Sequence, residues 1–208
     1  MTFEGEWYII LEVYKKERTE LIYKHMYCGY KKNGKITLKK DERIITSSAA
    51  HFEDMTFLYF ETKDPSLTVK DVAEGEMKPF PNGDEWFEMS EIFHYFTPAN
   101  DGEWERKIKN KKAVFRINKL NRDKVASYIY HHVWHQNCNN YDCDRFFSIF
   151  IYGNVIVMYS ETPEEKVTWQ DIEGRPYSPN REDWGELMNE HFAAWPDGEK
   201  KWVPMERE

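Results

Sequence analysis

The sequence predicts an α+β chain: two tandem ferredoxin-like repeats, each βαββαβ, packing sheet on sheet into an intramolecular α+β barrel. Three observations lead there. First, the chain says one thing twice. Phe57-Leu58-Tyr59-Phe60-Glu61-Thr62 is echoed by Val157-Met158-Tyr159-Ser160-Glu161-Thr162. Thr68, Asp71 and Val72 return as Thr168, Asp171 and Ile172, and Lys78-Pro79-Phe80 returns as Arg175-Pro176-Tyr177. Trp86-x-Glu88-Met89 returns as Trp184-x-Glu186-Leu187, and Pro98 with Asp101-Gly102 as Pro196-Asp197-Gly198. A unit of roughly 100 residues is a domain-sized repeat, too long for a solenoid. Second, each copy reads as strand, helix, two hairpin strands, helix, strand. Third, an antiparallel sheet with helices on one face needs a cover on the other, and a second copy supplies it. The repeats are placed at 1–108 and 109–208.

In chain order, Trp7 to Val13 is an apolar, β-branched run and reads as a strand. Glu17 to Tyr27 reads as a helix from the spacing of Leu21, Ile22 and His25. Tyr30 to Leu38 reads as a hairpin about Asn33-Gly34. Phe57 to Glu61 is a strand, and Val69, Val72 and Ala73 suggest a short helix after it. Gly75 to Gly83, with Pro79 and Pro81, reads as a loop. Asp84 caps an expected helix carrying Trp86, Met89, Ile92, Phe93 and Phe96, which Pro98 stops. The charged stretch from Gly102 to Lys112 is the expected junction. Beyond it, Ala113 to Ile117 is a strand. A helix starting at Asn121 or Asp123 carries Val125, Tyr128, Ile129, His132 and Val133 on one face. Asn137 to Asp144 is polar and loop-like. Phe146 to Tyr152 and Val155 to Tyr159 are strands about the turn Gly153-Asn154. Asp183 caps a helix with Trp184, Leu187, Met188 and His191, ended by Trp195-Pro196. Trp202 to Met205 adds a short strand.

Composition bounds the partners. Hydrophobic residues make up 40% and aromatics 16% of the 208 residues, enough for a core. A formal net charge of −8 argues against a nucleic-acid partner, which needs clustered Lys and Arg. The one basic run, Lys31-Lys32 to Lys39-Lys40, reads as a solvated hairpin. No apolar stretch reaches the ~20 residues of a membrane span, and no signal peptide opens the chain. Three cysteines do not make a disulfide framework. Cytoplasm is the expected compartment. A small-molecule ligand is the expected partner, and a homodimer stays open.

The densest chemical cluster is Tyr128, Tyr130, His131, His132, Trp134 and His135. Histidine titrates near neutrality and suits acid–base work, although an interior histidine satisfied by hydrogen bonding is the plain alternative. His131 and His135 share a helix face, and Cys138 and Cys143 follow, a set that could hold zinc. Cys-x4-Cys is a loose spacing, so no metal or other cofactor is expected. Trp86, Trp184, Trp195 and Trp202 are sugar-stacking surfaces or core fillers. His25 stands on the first expected helix beside Tyr23 and Tyr27. No Gly-rich phosphate loop and no nucleophile elbow occurs.

Several of these residues carry a resemblance. Lys112-Ala113-Val114 opens a strand to Asn118, Tyr128-x3-His132 sits on the helix after it, Phe147-Ser148-Ile149-Phe150 forms a middle strand, and Trp184-x3-Met188 begins the second helix. In these features the second copy resembles the L-rhamnose mutarotase family of the dimeric α+β-barrel proteins. Trp86-Phe87 and Pro98-Ala99-Asn100 resemble the same family's second helix and the segment after it. The resemblance implies a cofactor-independent enzyme that interconverts anomers of a small aldose of the deoxyhexose type. It implies His132 as the catalytic histidine and Tyr128 as its partner. It also implies Trp184, Trp86 and the position of Phe147, where the family has Tyr, as sugar contacts. His25 is the weaker counterpart in the first copy. The alternative is a non-catalytic small-molecule-binding or interaction module.

Overall fold

A computed structural model describes residues 22–95, 111–136, 146–163 and 184–207. Among the described residues strand dominates, at 55% against 17% helix. Among the described residues the strands are β1 (Tyr23–Leu38), β2 (Ile44–Phe52), β3 (Met55–Thr62), β4 (Ala73–Lys78), β5 (Phe87–Tyr95), β6 (Lys111–Lys119), β7 (Phe146–Tyr152), β8 (Val155–Pro163), β9 (Val203–Pro204) and β10 (Glu206–Arg207). The helices are α1 (Val69–Val72), α2 (Val125–Gln136), preceded by a 3₁₀ turn at Arg122–Lys124, and α3 (Trp184–Asn189).

All strands join one antiparallel sheet in the order β10-β2-β3-β1-β5-β7-β8-β6-β9, with β4 paired to the far half of β1. The sheet curls into a nearly closed barrel. Tyr59 on β3 and Tyr159 on β8 show how far it curls. Four strand spacings of about 4.8 Å would separate them in a flat sheet, yet their rings stack with centroids 3.7 Å apart and planes 18° apart. The two ends of the sheet carry its short strands, β9 on β6 and β10 on β2.

The expected pair of βαββαβ repeats is therefore corrected. There are not two sheets packed face to face but one sheet to which both halves contribute. Among the described residues of the first half, β1 connects to β2 through residues 39–43, and the helix present, α1, spans Val69–Val72. What survives of the duplication is strand order, β2-β3-β1-β5 in the first half and β7-β8-β6-β9 in the second.

Two expected helices are strands, for identifiable reasons. Around His25, alternation with period two prevails over helical spacing. Met26 and Cys28 face the barrel interior, while Tyr23, His25 and Tyr27 face out. In β5 the apolar set Trp86, Met89, Ile92 and Phe93 imitates a helical stripe because of a bulge. Glu91 pairs with Phe150 and Phe93 with Ile149, so Ile92 is an extra residue that reverses which side chains point inward. Before the bulge Phe87 and Met89 pack in the interior; after it Ile92 and Phe93 pack outside. The expected hairpin at Asn33-Gly34 is instead a bulged stretch within β1, where Gly34 takes φ +69°. The expected loop over 75–83 begins as β4. The helix α2, the β7–β8 hairpin with Gly153 at φ +59°, and the short strand β9 lie where the sequence places them; β10 is unexpected. The expected strand at Trp7 to Val13, the 102–110 junction and the loop from Asn137 to Asp144 lie outside the described residues.

Three apolar clusters form. The interior holds Met26, Cys28, Phe57, Tyr59, Met89, Phe115, Ile117, Phe150, Val157, Tyr159 and Trp195. The outer face of the second half packs under α2 and α3 through Phe93, Ile149, Ile151, Ile156, Tyr128, Met188 and Phe192. The outer face of the first half packs under α1, β4 and the far end of β1 through Leu58, Phe60, Leu67, Val72 and Met77.

Candidate functional site

The helix α2 forms because a 3₁₀ turn at Arg122–Lys124 leads into twelve residues free of Gly and Pro. Its inward stripe of Val125, Tyr128, Ile129 and His132 lies at i, i+3, i+4 and i+7. Val133, expected on that stripe, is 51% exposed. Tyr128 and His132 are buried. Their rings lie 4.0 Å apart, and the Trp184 ring at the start of α3 lies edge-on, 5.1 Å from His132. Phe93 of β5 closes the other side at 5.8 Å. Three of the sequence-predicted site residues thus meet.

Hydrogen bonding sets the tautomer of His132. Its Nδ1 is 2.9 Å from the carbonyl oxygen of Tyr128. A carbonyl only accepts, so Nδ1 carries the proton and Nε2 holds the lone pair of the neutral ring. That is the arrangement of a general base. Full burial raises the Tyr128 phenol well above its ordinary value, so it stays protonated. The neighbouring His191 repeats the pattern: Nδ1 donates to the Leu187 carbonyl at 2.8 Å, and Nε2 accepts from the Ser127 hydroxyl at 2.9 Å. This bond ties the segment just after α3 to α2.

The other predicted residues are elsewhere. Trp86 precedes β5 and packs in the first half's outer cluster, not beside His132. His25 lies on β1, with Nδ1 2.6 Å from Glu88 Oε1. Phe147 lies on β7, paired with Ser160 and Tyr95. Cys138 and Cys143 lie outside the described residues. Among the described residues no group of three His, Cys, Asp or Glu is placed to hold a metal ion. No helix among them is long and apolar enough to cross a membrane.

A second polar centre lies inside the barrel. Tyr59 and Tyr159 each donate to a glutamate two residues on: Tyr59 to Glu61, and Tyr159 to Glu161 at 2.7 Å. All four side chains are buried. Period-two alternation dictates this, since residues i and i+2 share a strand face. Lys24, directly opposite Glu61 in the β1–β3 ladder, bonds Glu91 and reaches Ser148 Oγ at 3.5 Å. Burial, and then the Lys24 charge, lower the pKa of His94, against the opposing pull of Glu91. The sequence signal for this centre is the duplicated Tyr-x-Glu of β3 and β8. Lys24, Glu91 and His94 carry no such repeat, and helical spacing puts them on the helices expected over Glu17–Tyr27 and from Asp84 to Phe96.

Comparison with family models, curated proteins and solved structures finds no match to this chain.

Proposed function

We propose that the chain is a mutarotase-like, cofactor-independent acid–base enzyme acting on a small aldose of the deoxyhexose type, with His132 as the proton carrier. The observation that carries this is the convergence of Tyr128, His132 and Trp184, with His132 Nδ1 held on the Tyr128 carbonyl. The chemistry is proton exchange alone. Nε2 takes the proton of the anomeric hydroxyl, the imidazolium so formed gives that proton to the ring oxygen, and the C1–O5 bond breaks to give the open-chain aldehyde. Rotation about C1–C2 and reclosure on the other face reverse those transfers. Trp184 supplies an indole surface for sugar C–H groups, and Tyr128 holds the His132 ring through its carbonyl.

A positioned acid–base group contributes about 10²–10⁴-fold in rate. His132→Asn should slow anomer exchange of L-rhamnose, followed by NMR, by that order in a folded protein. His131→Asn is the control, because His131 lies on the next face of the helix. Equal exchange in wild type and His132→Asn would remove the catalytic role. A second reading has its own observation: His132 is 5% and Tyr128 1% exposed, with Phe93 against the imidazole. Such closure suits a binding or interaction module that lacks the reaction, and a wild type that binds sugar without exchange would select it. The proposal includes a cytoplasmic location, a monosaccharide as partner, and neither nucleic acid nor membrane.

A further inference from the structure

The hydrogen bond between Ser127 and His191 has the polarity of a nucleophile and its base. Ser127 lies on α2, and His191 follows the end of α3 at Asn189. The Ser127 hydroxyl gives its proton to His191 Nε2 at 2.9 Å, and His191 Nδ1 donates to the Leu187 carbonyl oxygen at 2.8 Å. Both nitrogens of the neutral ring are engaged, one oriented by a fixed acceptor and the other aimed at a hydroxyl. A serine inside a helix ordinarily faces water or turns its hydroxyl back to a carbonyl of the preceding turn. Here the one hydroxyl proton goes to an imidazole 64 positions away in the chain.

The pair lies at the surface. His191 is buried, but Ser127 is partly exposed. Residues three and four positions on are its neighbours along the helix. Those are Tyr130, 66% exposed, and His131, also partly exposed. The His131 ring stands edge-on to His191 at 5.6 Å, and the Tyr130 ring lies 5.5 Å from His131. An open aromatic rim therefore flanks the hydroxyl. His132 turns the other way, toward Trp184 and Phe93. The helix α2 carries no Asp, Glu, Lys or Arg, so nothing on it selects a charged substrate.

We propose that Ser127 and His191 form an acyl-transfer site that hydrolyses a small neutral ester with an apolar or aromatic acyl group. Ser127 Oγ adds to the ester carbonyl carbon as its proton passes to His191 Nε2. The tetrahedral adduct expels the alcohol oxygen, which takes that proton from His191 and leaves an ester on Ser127. Water then adds to this acyl-serine, giving a proton to His191 Nε2. The bond from the acyl carbon to Ser127 Oγ breaks, Oγ recovers the proton, and the carboxylic acid leaves. The Leu187 carbonyl is a positioning group: it fixes the tautomer and holds the ring while the imidazolium exists. Neither Ser127 nor His191 takes part in the proton exchange assigned to His132.

The test uses p-nitrophenyl acetate and a fluorophosphonate probe, which reacts with activated serines. Wild type should release a burst of about one p-nitrophenol per chain and then turn over slowly. The probe should label Ser127, located by peptide mass spectrometry. Ser127→Ala puts a good helix former at a partly exposed position. It should lose both burst and label with an unchanged circular dichroism spectrum. His191→Gln should slow labelling by about 10²–10⁴-fold. Wild type unfolded in urea, in which the two residues separate, should take up no label, and this measurement needs no variant. A folded wild type without label at Ser127, labelling as fast in His191→Gln, or equal labelling of the unfolded chain would each overturn the proposal. So would a burst that survives Ser127→Ala, because it places the ester reaction at another nucleophile.

Discussion

Replacing Tyr159 by Phe isolates one interaction in the barrel interior. The ring stays and can still stack on Tyr59 at 3.7 Å and meet Phe115 edge-on. What goes is the hydroxyl that donates to Glu161 at 2.7 Å, where both side chains are buried. A hydrogen bond to a charged acceptor contributes about 1.5–3 kcal/mol, and its loss leaves the carboxylate less well solvated than before. At roughly 2–4 °C per kcal/mol for a chain of this size, the thermal midpoint should fall by about 3–12 °C. Urea unfolding followed by circular dichroism should show a lower midpoint with an unchanged slope. Glu161→Gln keeps an acceptor and drops the charge, so it should partly relieve Tyr159→Phe in the double variant. Tyr59→Phe and Tyr159→Phe together should be non-additive by more than about 0.5 kcal/mol, because the rings touch. A Tyr159→Phe protein within about 0.5 kcal/mol of wild type would refute this account of the interior, since that is the range of an inconsequential surface change.

Two further outcomes are expected. The lowered pKa of His94 means that the folded state resists its protonation more than the unfolded chain does. Stability should therefore hold above the ordinary histidine value of about 6.5 and fall as the pH drops below it, towards and through the folded value; thermal midpoints of His94→Gln should depend less on pH over that window. Gly29→Ala places a Cβ 2.5 Å from Met77 Cε and 2.7 Å from the Glu85 carbonyl oxygen. The methyl end of Met77 can move but the Glu85 backbone cannot easily do so, and about 1–3 kcal/mol should be lost in urea unfolding.

Where one physical signal dominated, the sequence was legible. The apolar runs of β3, β7 and β8 announced strands, and Gly153-Asn154 announced the turn between β7 and β8. The stripe from Val125 to His132 announced α2 and its inward face, and with it the meeting of Tyr128 and His132. Legibility failed where two periods overlapped. In β5 a single bulge at Ile92 converts alternation into a pattern that a helix would also show. In β1 three residues at helical spacing outweighed the alternation of Tyr23, His25 and Tyr27 with Met26 and Cys28. Those two misreadings hid the interior polar centre, because its Lys24, Glu91 and His94 sit on them. Trp86 lies away from His132 for the same reason: its likeness to Trp184 is a likeness of helices, and the segment after Trp86 is a strand.

The stacked tyrosines have a consequence for biosynthesis. Tyr59 leaves the ribosome 100 residues before Tyr159, so for that interval Met26, Phe57 and Tyr59 present an apolar surface whose opposite wall does not yet exist. Contacts of such long sequence separation form late and slowly, and an unfinished curved sheet has unpaired edges on both sides. The nascent first half should thus be the stage at which holdase chaperones engage this chain, with release timed by the emergence of β8.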